Sequence, residues 1–163
     1  MKSWYLLQTK PRQERLAKEH LERQEYGTYL PLTLFRRKRR GKLIRVIDPM
    51  FPRYLFIHLS DETDDWRPIR STIGVAALVR FGQEPARVPD NLIQCLRSRE
   101  DAEGILIPST KDYVPGDKLR IAEGPFEGYE AIFSCNTAKK RVIVLLKIAE
   151  SFIKLELDQS LIE

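Results

Sequence analysis

The sequence predicts an α+β protein: an N-terminal antiparallel sheet with flanking helices, followed by a small C-terminal domain. Three observations carry that reading. The apolar run Tyr54-Leu55-Phe56-Ile57-His58-Leu59 is dense in aromatic and aliphatic residues, which suits a central strand covered on both faces. Strand-like and helix-like segments alternate around it up to about residue 100, in the order β-α-β-β-β-α-β-α. Beyond an acidic stretch, short strand candidates crowd into the last fifty or so residues, as in a small five-stranded barrel.

Ser3 to Gln8 alternates as a strand, with Trp4 and Leu6 on one face and Tyr5 and Leu7 on the other. Pro11 fits the first turn of a helix, where its missing N–H costs nothing. Arg12 to Gln24 continues that helix and buries Ala17 and Leu21, with Leu16 at the margin. Its outward face carries Lys10, Arg12, Arg15, Lys18 and Arg23, with His20 one turn after Leu16.

Tyr29–Phe35 and Leu43–Ile47 are the next two strands. The turn between them, Arg36 to Lys42, holds six cations in seven residues, so its tip is expected to be mobile unless an anion neutralises it. Pro49 and Pro52 stand ahead of the central strand, where a residue that cannot donate to a ladder is tolerated. Phe51 and Pro52 lie just outside that strand and are expected to be partly exposed, as core edge or docking surface. Asp61 to Asp65 is an acidic cluster before a helix start at Trp66, where negative charge favours the helix dipole. Ile69–Ile73 leads through Gly74 into a strand over Val75–Phe81. A short extended piece, Pro85–Val88, precedes a helix from Pro89-Asp90 to about Arg99 with Leu92, Ile93 and Leu96 as its stripe. The first domain is thus expected over 1–100, a linker over 101–112 and the second domain over 113–163.

The formal net charge of +5 conceals a polarity. Residues 1–60 hold 14 Lys/Arg against 5 Asp/Glu, and residues 61–163 hold 14 against 18. The positive potential therefore sits in the first part of the chain, where a polyanion would be attracted; a solvated face is the alternative. Cys95 and Cys135 are far apart and in no CxxC spacing, so neither a disulfide scaffold nor a zinc site is implied. No nucleophile motif, HExxH, phosphate-binding loop or dinucleotide fingerprint occurs, which argues against an enzyme and against a cofactor or metal. No apolar run reaches membrane length and no signal sequence is visible, so a cytoplasmic, monomeric protein without membrane contact is expected.

The run Pro49-Met50-Phe51-Pro52-Arg53-Tyr54-Leu55-Phe56-Ile57 resembles the central strand of the N-terminal (NGN) domain of NusG-type transcription elongation factors. Trp4-Tyr5, Pro115-Gly116-Asp117 and Gly124-Pro125-Phe126-Glu127-Gly128 extend that resemblance along nearly the whole chain, the last two resembling a KOW motif. Lys10, His20 to Gln24 and Arg40-Gly41-Lys42 look closest to the RfaH-type specialised antitermination branch. The resemblance implies that Phe51, Pro52, Tyr54, Ile93 and Leu96 grip the β′ clamp helices of RNA polymerase, reducing pausing and termination. It implies that Lys10, Arg12, Gln13, His20, Arg23, Arg40, Thr72 and Gly74 meet the non-template DNA strand, and that the C-terminal domain recruits a small-subunit ribosomal protein or another partner. Two departures stand out. The family's His-Thr-Thr element for the β gate loop reads Asp65-Trp66-Arg67, which leaves that contact open, and its Thr-Arg-Gly element reads Thr72-Ile73-Gly74. The alternatives are a general NusG-type factor and an RNA- or ribosome-binding KOW protein.

The C-terminal sequence fits two folds. Strand candidates fall at Asp117–Ala122, Tyr129–Ser134, Arg141–Lys147, Phe152–Leu157 and Ser160–Ile162, but from Tyr129 onward there is neither glycine nor proline to turn a barrel. The same stretch reads as a helix, with Val142, Leu145, Ala149, Phe152 and Leu155 at helical spacing, although Val142-Ile143-Val144 is β-branched. RfaH-type factors switch between a helical hairpin and a barrel. That resemblance implies an autoinhibited state in which Phe133, Leu145 and Ile148 cover Phe51 and Ile93, latched by an Asp48–Arg141 ion pair.

Overall fold

A computed structural model describes residues 2–106, 127–135 and 137–161. Its centre is an antiparallel pairing of β1 (Lys2–Thr9) with β5 (Tyr54–Ser60), running in register from Lys2 opposite Ser60 to Gln8 opposite Tyr54. β2 (Gly27–Tyr29) flanks β5. The other side of β1 is shared by β6 (Val75–Leu78) and β9 (Arg87–Val88), which gives a five-stranded sheet. The strand read as Tyr29–Phe35 is divided, because Pro31 has no N–H to continue a ladder: β2 ends at Tyr29 and β3 (Leu32–Arg39) starts a second sheet with β4 (Lys42–Pro49). A two-residue piece, β7 (Arg80–Phe81), pairs with β8 (Glu84–Pro85) in place of a continuous strand to Phe81.

Alternation along β1 and β5 divides the core into two layers. Leu7, Leu55, Ile57 and Leu59 pack against Ala17 and Leu21 of α1 (Glu14–Arg23) and Ile69 of α2 (Arg67–Arg70). Trp4, Leu6 and Phe56 face the opposite way, against Leu92, Ile93 and Leu96 of α3 (Asp90–Ser98). The helix α1 starts after Pro11 rather than at it, and Arg12 takes a left-handed φ of 61°. Gly74, at φ +90°, lies so close to α1 that a Cβ there would come within 2.9 Å of the Ala17 nitrogen, so this crossing needs glycine twice over.

The cationic stretch 36–42 is mostly ladder and not loop. Arg36 to Arg39 pair in register with Lys42 to Arg45, and only Arg40 and Gly41 turn the chain, at φ 52° and 76°. That is the two-residue turn with positive φ at both positions that matches strand twist. Within the stretch read as linker, β10 (Ile105–Leu106) adds a parallel strand to β3. Residues 107–112 of that linker, Pro115-Gly116-Asp117, Gly124 to Phe126 and the candidate strand Asp117–Ala122 lie outside the described residues.

The strand readings from Tyr129 onward are corrected. Glu127–Ser134 is a helix, α4, and Ala138–Leu161 is a second, α5, so the helical alternative is the one present. Burial decides against local propensity. Tyr129, Ile132 and Phe133 at i, i+3, i+4 on α4, and Leu145 on α5, are all buried in the layer that contains Phe51, Ile93 and Leu96. Each large apolar side chain taken out of water contributes about 1.5–3 kcal/mol, more than the few tenths a β-branched residue costs in a helix.

Candidate docking face and basic surface

The apolar face expected to dock a partner is assembled and covered. Phe51 and Ile93 are each 1% exposed and Leu96 is fully buried, all in one cluster with Tyr129, Ile132, Phe133 and Leu145. Tyr54 and Ile148 pack on it half-buried. Pro52 is half-buried beside Phe51. The expectation of partial exposure at Phe51 is therefore corrected: its ring meets Phe56 edge-on at 5.9 Å beneath the C-terminal helices. The turn carrying it is set by Arg53 at φ 70°, whose N–H donates to the buried Glu14 carboxylate at 2.9 Å. Arg99 stands 4.3 Å over the Phe133 ring and closes the rim.

The expected Asp48–Arg141 latch is corrected too. Asp48 accepts from Arg37 at 2.8 Å. Thr33, opposite Asp48, shares a ribbon face with Phe35 and Arg37 at alternate positions, so a long guanidinium on that face reaches Asp48 first. Arg141 instead donates Nε to the Met50 carbonyl at 3.0 Å and Nη1 to the Cys135 carbonyl at 3.1 Å, and lies 4.9 Å over the Phe35 ring. It is 6% exposed, and its Nη2 has no hydrogen-bond partner among the described residues. Burial holds this guanidinium below its ordinary range. The seam thus contains a buried cation bound to main-chain carbonyls and an arene, with no carboxylate partner among the described residues.

The residues expected to meet DNA fall into two places. The Lys10 N–H donates to the Gly74 carbonyl at 2.9 Å, and Gln24 Nε2 donates to Thr72 Oγ1 at 2.9 Å, so the end of β1, α1 and the turn before β6 come together, with Thr72 and Gly74 themselves buried, against the expectation that they meet DNA. Arg12 is exposed there and Gln13 and His20 are half-exposed, while Arg23 is paired with Glu19 at 2.6 Å and Lys18 with Glu22. Lys10 and Arg12 have no carboxylate partner among the described residues. Ile73, where the resemblance expects arginine, is 57% exposed. Arg40 is elsewhere, at the tip of the β3–β4 ribbon. Arg15 ties α1 to the ribbon's base through the Ile47 carbonyl at 3.1 Å, and the tip lies about 20 Å beyond at strand rise. Missed in the sequence were Tyr129 and Ile132 of the covering helix, whose i, i+3, i+4 spacing with Phe133 was a readable signal, and Glu14, whose buried carboxylate carries no mark in the sequence pattern.

A family model described as "Transcription termination factor nusG" matches residues 2–97. The chain belongs to the NusG family. A transcription termination/antitermination protein NusG of Deinococcus radiodurans is 28% identical over 138 residues, covering 74% of this chain and 70% of that one. The NusG of Thermus thermophilus is 28% identical over 179 residues, covering 96% and 95%. A solved structure titled "Domain interaction in Thermotoga maritima NusG" aligns over 59% of this chain and 55% of that chain, at 21% identity and TM-score 0.42. In this NusG-family chain the matched residues carry the apolar face and the basic surface, and the covering helices lie outside the match. Among the described residues no helix is long and apolar enough to cross a membrane, and no group of residues is arranged to hold a metal ion.

Proposed function

We propose that this chain is a transcription elongation and antitermination factor of the specialised, self-covered type. Its apolar face, Phe51, Pro52, Tyr54, Ile93 and Leu96, grips the β′ clamp helices of RNA polymerase. Its Lys10–Thr72 surface and ribbon tip bind non-template DNA. The second domain, 113–163, first covers that face and then, released, recruits a further partner such as a ribosomal protein. The observation that supports this most is Phe51 and Ile93 at 1% exposure beneath α4 and α5. A face this apolar must be covered when no partner is bound, and helices that cover it compete with any partner for the same atoms.

The test is titration of the full-length chain with isolated clamp helices while backbone chemical shifts are followed. Helix shifts at 138–150 that give way to strand shifts on binding support the specialised reading. A second reading is a general NusG factor, favoured by the alignment over 95% of the Thermus protein. It expects binding at full affinity with strand shifts throughout. Failure of Phe51→Ala with Ile93→Ala to weaken binding would remove both.

A further inference from the structure

Away from the covered face, a cleft of about 280 Å³ opens between α2 and the β6–β7 edge, lined by Trp66, Arg67, Ile69, Arg70, Leu78 and Arg80. Its chemistry is divided. Ile69, 2% exposed, and half-buried Leu78 give it apolar walls. Three guanidinium groups stand around them, and no carboxylate among the described residues lines the cleft. The indole is fixed before any ligand arrives: Trp66 Nε1 donates to the Ser60 carbonyl at 2.9 Å and the ring meets Tyr5 edge-on at 4.8 Å.

The three cations are not equivalent. Arg67 is held by Asp65 through Nε and Nη2, both at 3.0 Å, and that pairing raises the guanidinium and lowers the carboxyl. Arg80 spends one N–H on the Gln83 carbonyl at 2.9 Å. Arg70 has no ion-pair or hydrogen-bond partner among the described residues. Two guanidinium forks therefore remain available to an anion, beside a fixed aromatic and an aliphatic wall. Forked N–H donors match the oxygens of phosphate, and an apolar slot takes a flat ring. Small-ligand pockets begin near ~300 Å³, so the volume suits one such unit and little more.

We propose that this cleft binds a nucleotide, its phosphate on Arg70 and Arg80 and its base against Trp66, Ile69 and Leu78. The same chemistry is offered by a free mononucleotide and by the terminal or everted residue of a single strand. The turn from Asp61 to Asp65 precedes Trp66 in the chain and carries four carboxylates, of which Asp64 accepts from the Ser60 N–H and Asp65 from Arg67. An acidic protein segment is the competing occupant, and it lacks a flat ring for the apolar part. The proposal is independent of the polymerase reading, because it concerns a binary complex of this chain with a small ligand.

The test uses the full-length protein and the indole N–H resonance of Trp66, assigned by its loss in Trp66→Phe. Deoxyadenosine monophosphate, inorganic phosphate, deoxyadenosine, a short oligodeoxynucleotide and an oligoglutamate peptide are titrated separately. The expected result is a saturable shift with the mononucleotide at least tenfold tighter than with phosphate or nucleoside alone. Arg70→Ala and Arg80→Ala, both exposed positions, each weaken it fivefold or more, and Arg67→Ala weakens it less. Saturation by the oligonucleotide alone, with the same Arg70 and Arg80 dependence, assigns the site to a strand residue. Equal affinity for phosphate and nucleotide overturns the proposal, as does saturation by oligoglutamate with nucleotides inert, or no saturation by any probe.

Discussion

Removing one side chain from the seam between α5 and the apolar face should turn a protected surface into an available one. Leu145 is fully buried in the cluster that holds Phe51, Ile93, Ile132 and Phe133. Leu145→Ala deletes three buried carbon atoms and leaves a cavity; such changes cost about 2–5 kcal/mol. The loss falls on closure, because the neighbours of Leu145 belong to both the covering helices and the covered face. Taking the low end, about 2–3 kcal/mol, the open fraction rises roughly 30- to 150-fold. Apparent affinity for a partner of the open state rises by the same factor until opening is complete. The assay is fluorescence anisotropy with labelled clamp helices, alongside urea unfolding. Leu55→Ala is the control: it is equally buried, but in the layer under α1, and it lowers stability without exposing Phe51. Tighter binding by Leu145→Ala alone is expected. If both variants bind alike, or Leu145→Ala binds no tighter than the parent, the helices do not gate this face.

Arg141→Met should loosen closure by about 1–3 kcal/mol in urea unfolding, because the buried Met50 carbonyl and the Cys135 carbonyl lose their donor. Asp48→Ala should leave it unchanged, since Asp48 is paired with Arg37 while Arg141 donates to the Met50 and Cys135 carbonyls. Gly74→Ala should lower thermal stability by roughly 1–3 kcal/mol, the range for forced left-handed backbone, as its Cβ would press on Ala17. The triple change Lys10→Ala, Arg12→Ala and Arg40→Ala should weaken single-stranded DNA binding and flatten its salt dependence by about 0.7 units of slope per lost phosphate contact; an unchanged slope leaves these cations as solvated surface.

What the sequence disclosed and what it hid follow from which forces leave a pattern in one dimension. β1, β5, α1 and α3 were legible because their burial is periodic: Leu7 with Leu55 and Ile57, Ala17 with Leu21, Leu92 with Ile93 and Leu96. Charge density misled at Arg36 to Arg39. Repulsion among cations suggested a loop, yet each side chain of a protruding ribbon reaches water, so the ladder costs little electrostatically and the Arg40-Gly41 turn fixes its register. The latch was illegible for another reason. Arg141 donates to the carbonyls of Met50 and Cys135, and a main-chain acceptor carries no mark of its own in the sequence, whereas Asp48 advertised itself as a carboxylate partner.

The second domain shows the limit most sharply. Val142-Ile143-Val144 favours a strand and the spacing of Leu145 and Ala149 favours a helix, each by a few tenths of a kcal/mol per residue. Preferences so evenly set leave the outcome to whatever apolar surface is at hand. With Phe51, Ile93 and Leu96 uncovered, a helix that buries Tyr129, Ile132, Phe133 and Leu145 on them gains several kcal/mol at once. Occupy that face with something else and the gain is gone. On the proposed function, α4 and α5 then have only their own weak preferences to follow, and the β-branched run Val142-Ile143-Val144 favours a strand. Under the proposed function, a segment poised in this way takes the helical fold only while the face of Phe51 and Ile93 has no other occupant, and strand shifts in residues 138–150 on binding of clamp helices are the result that function requires.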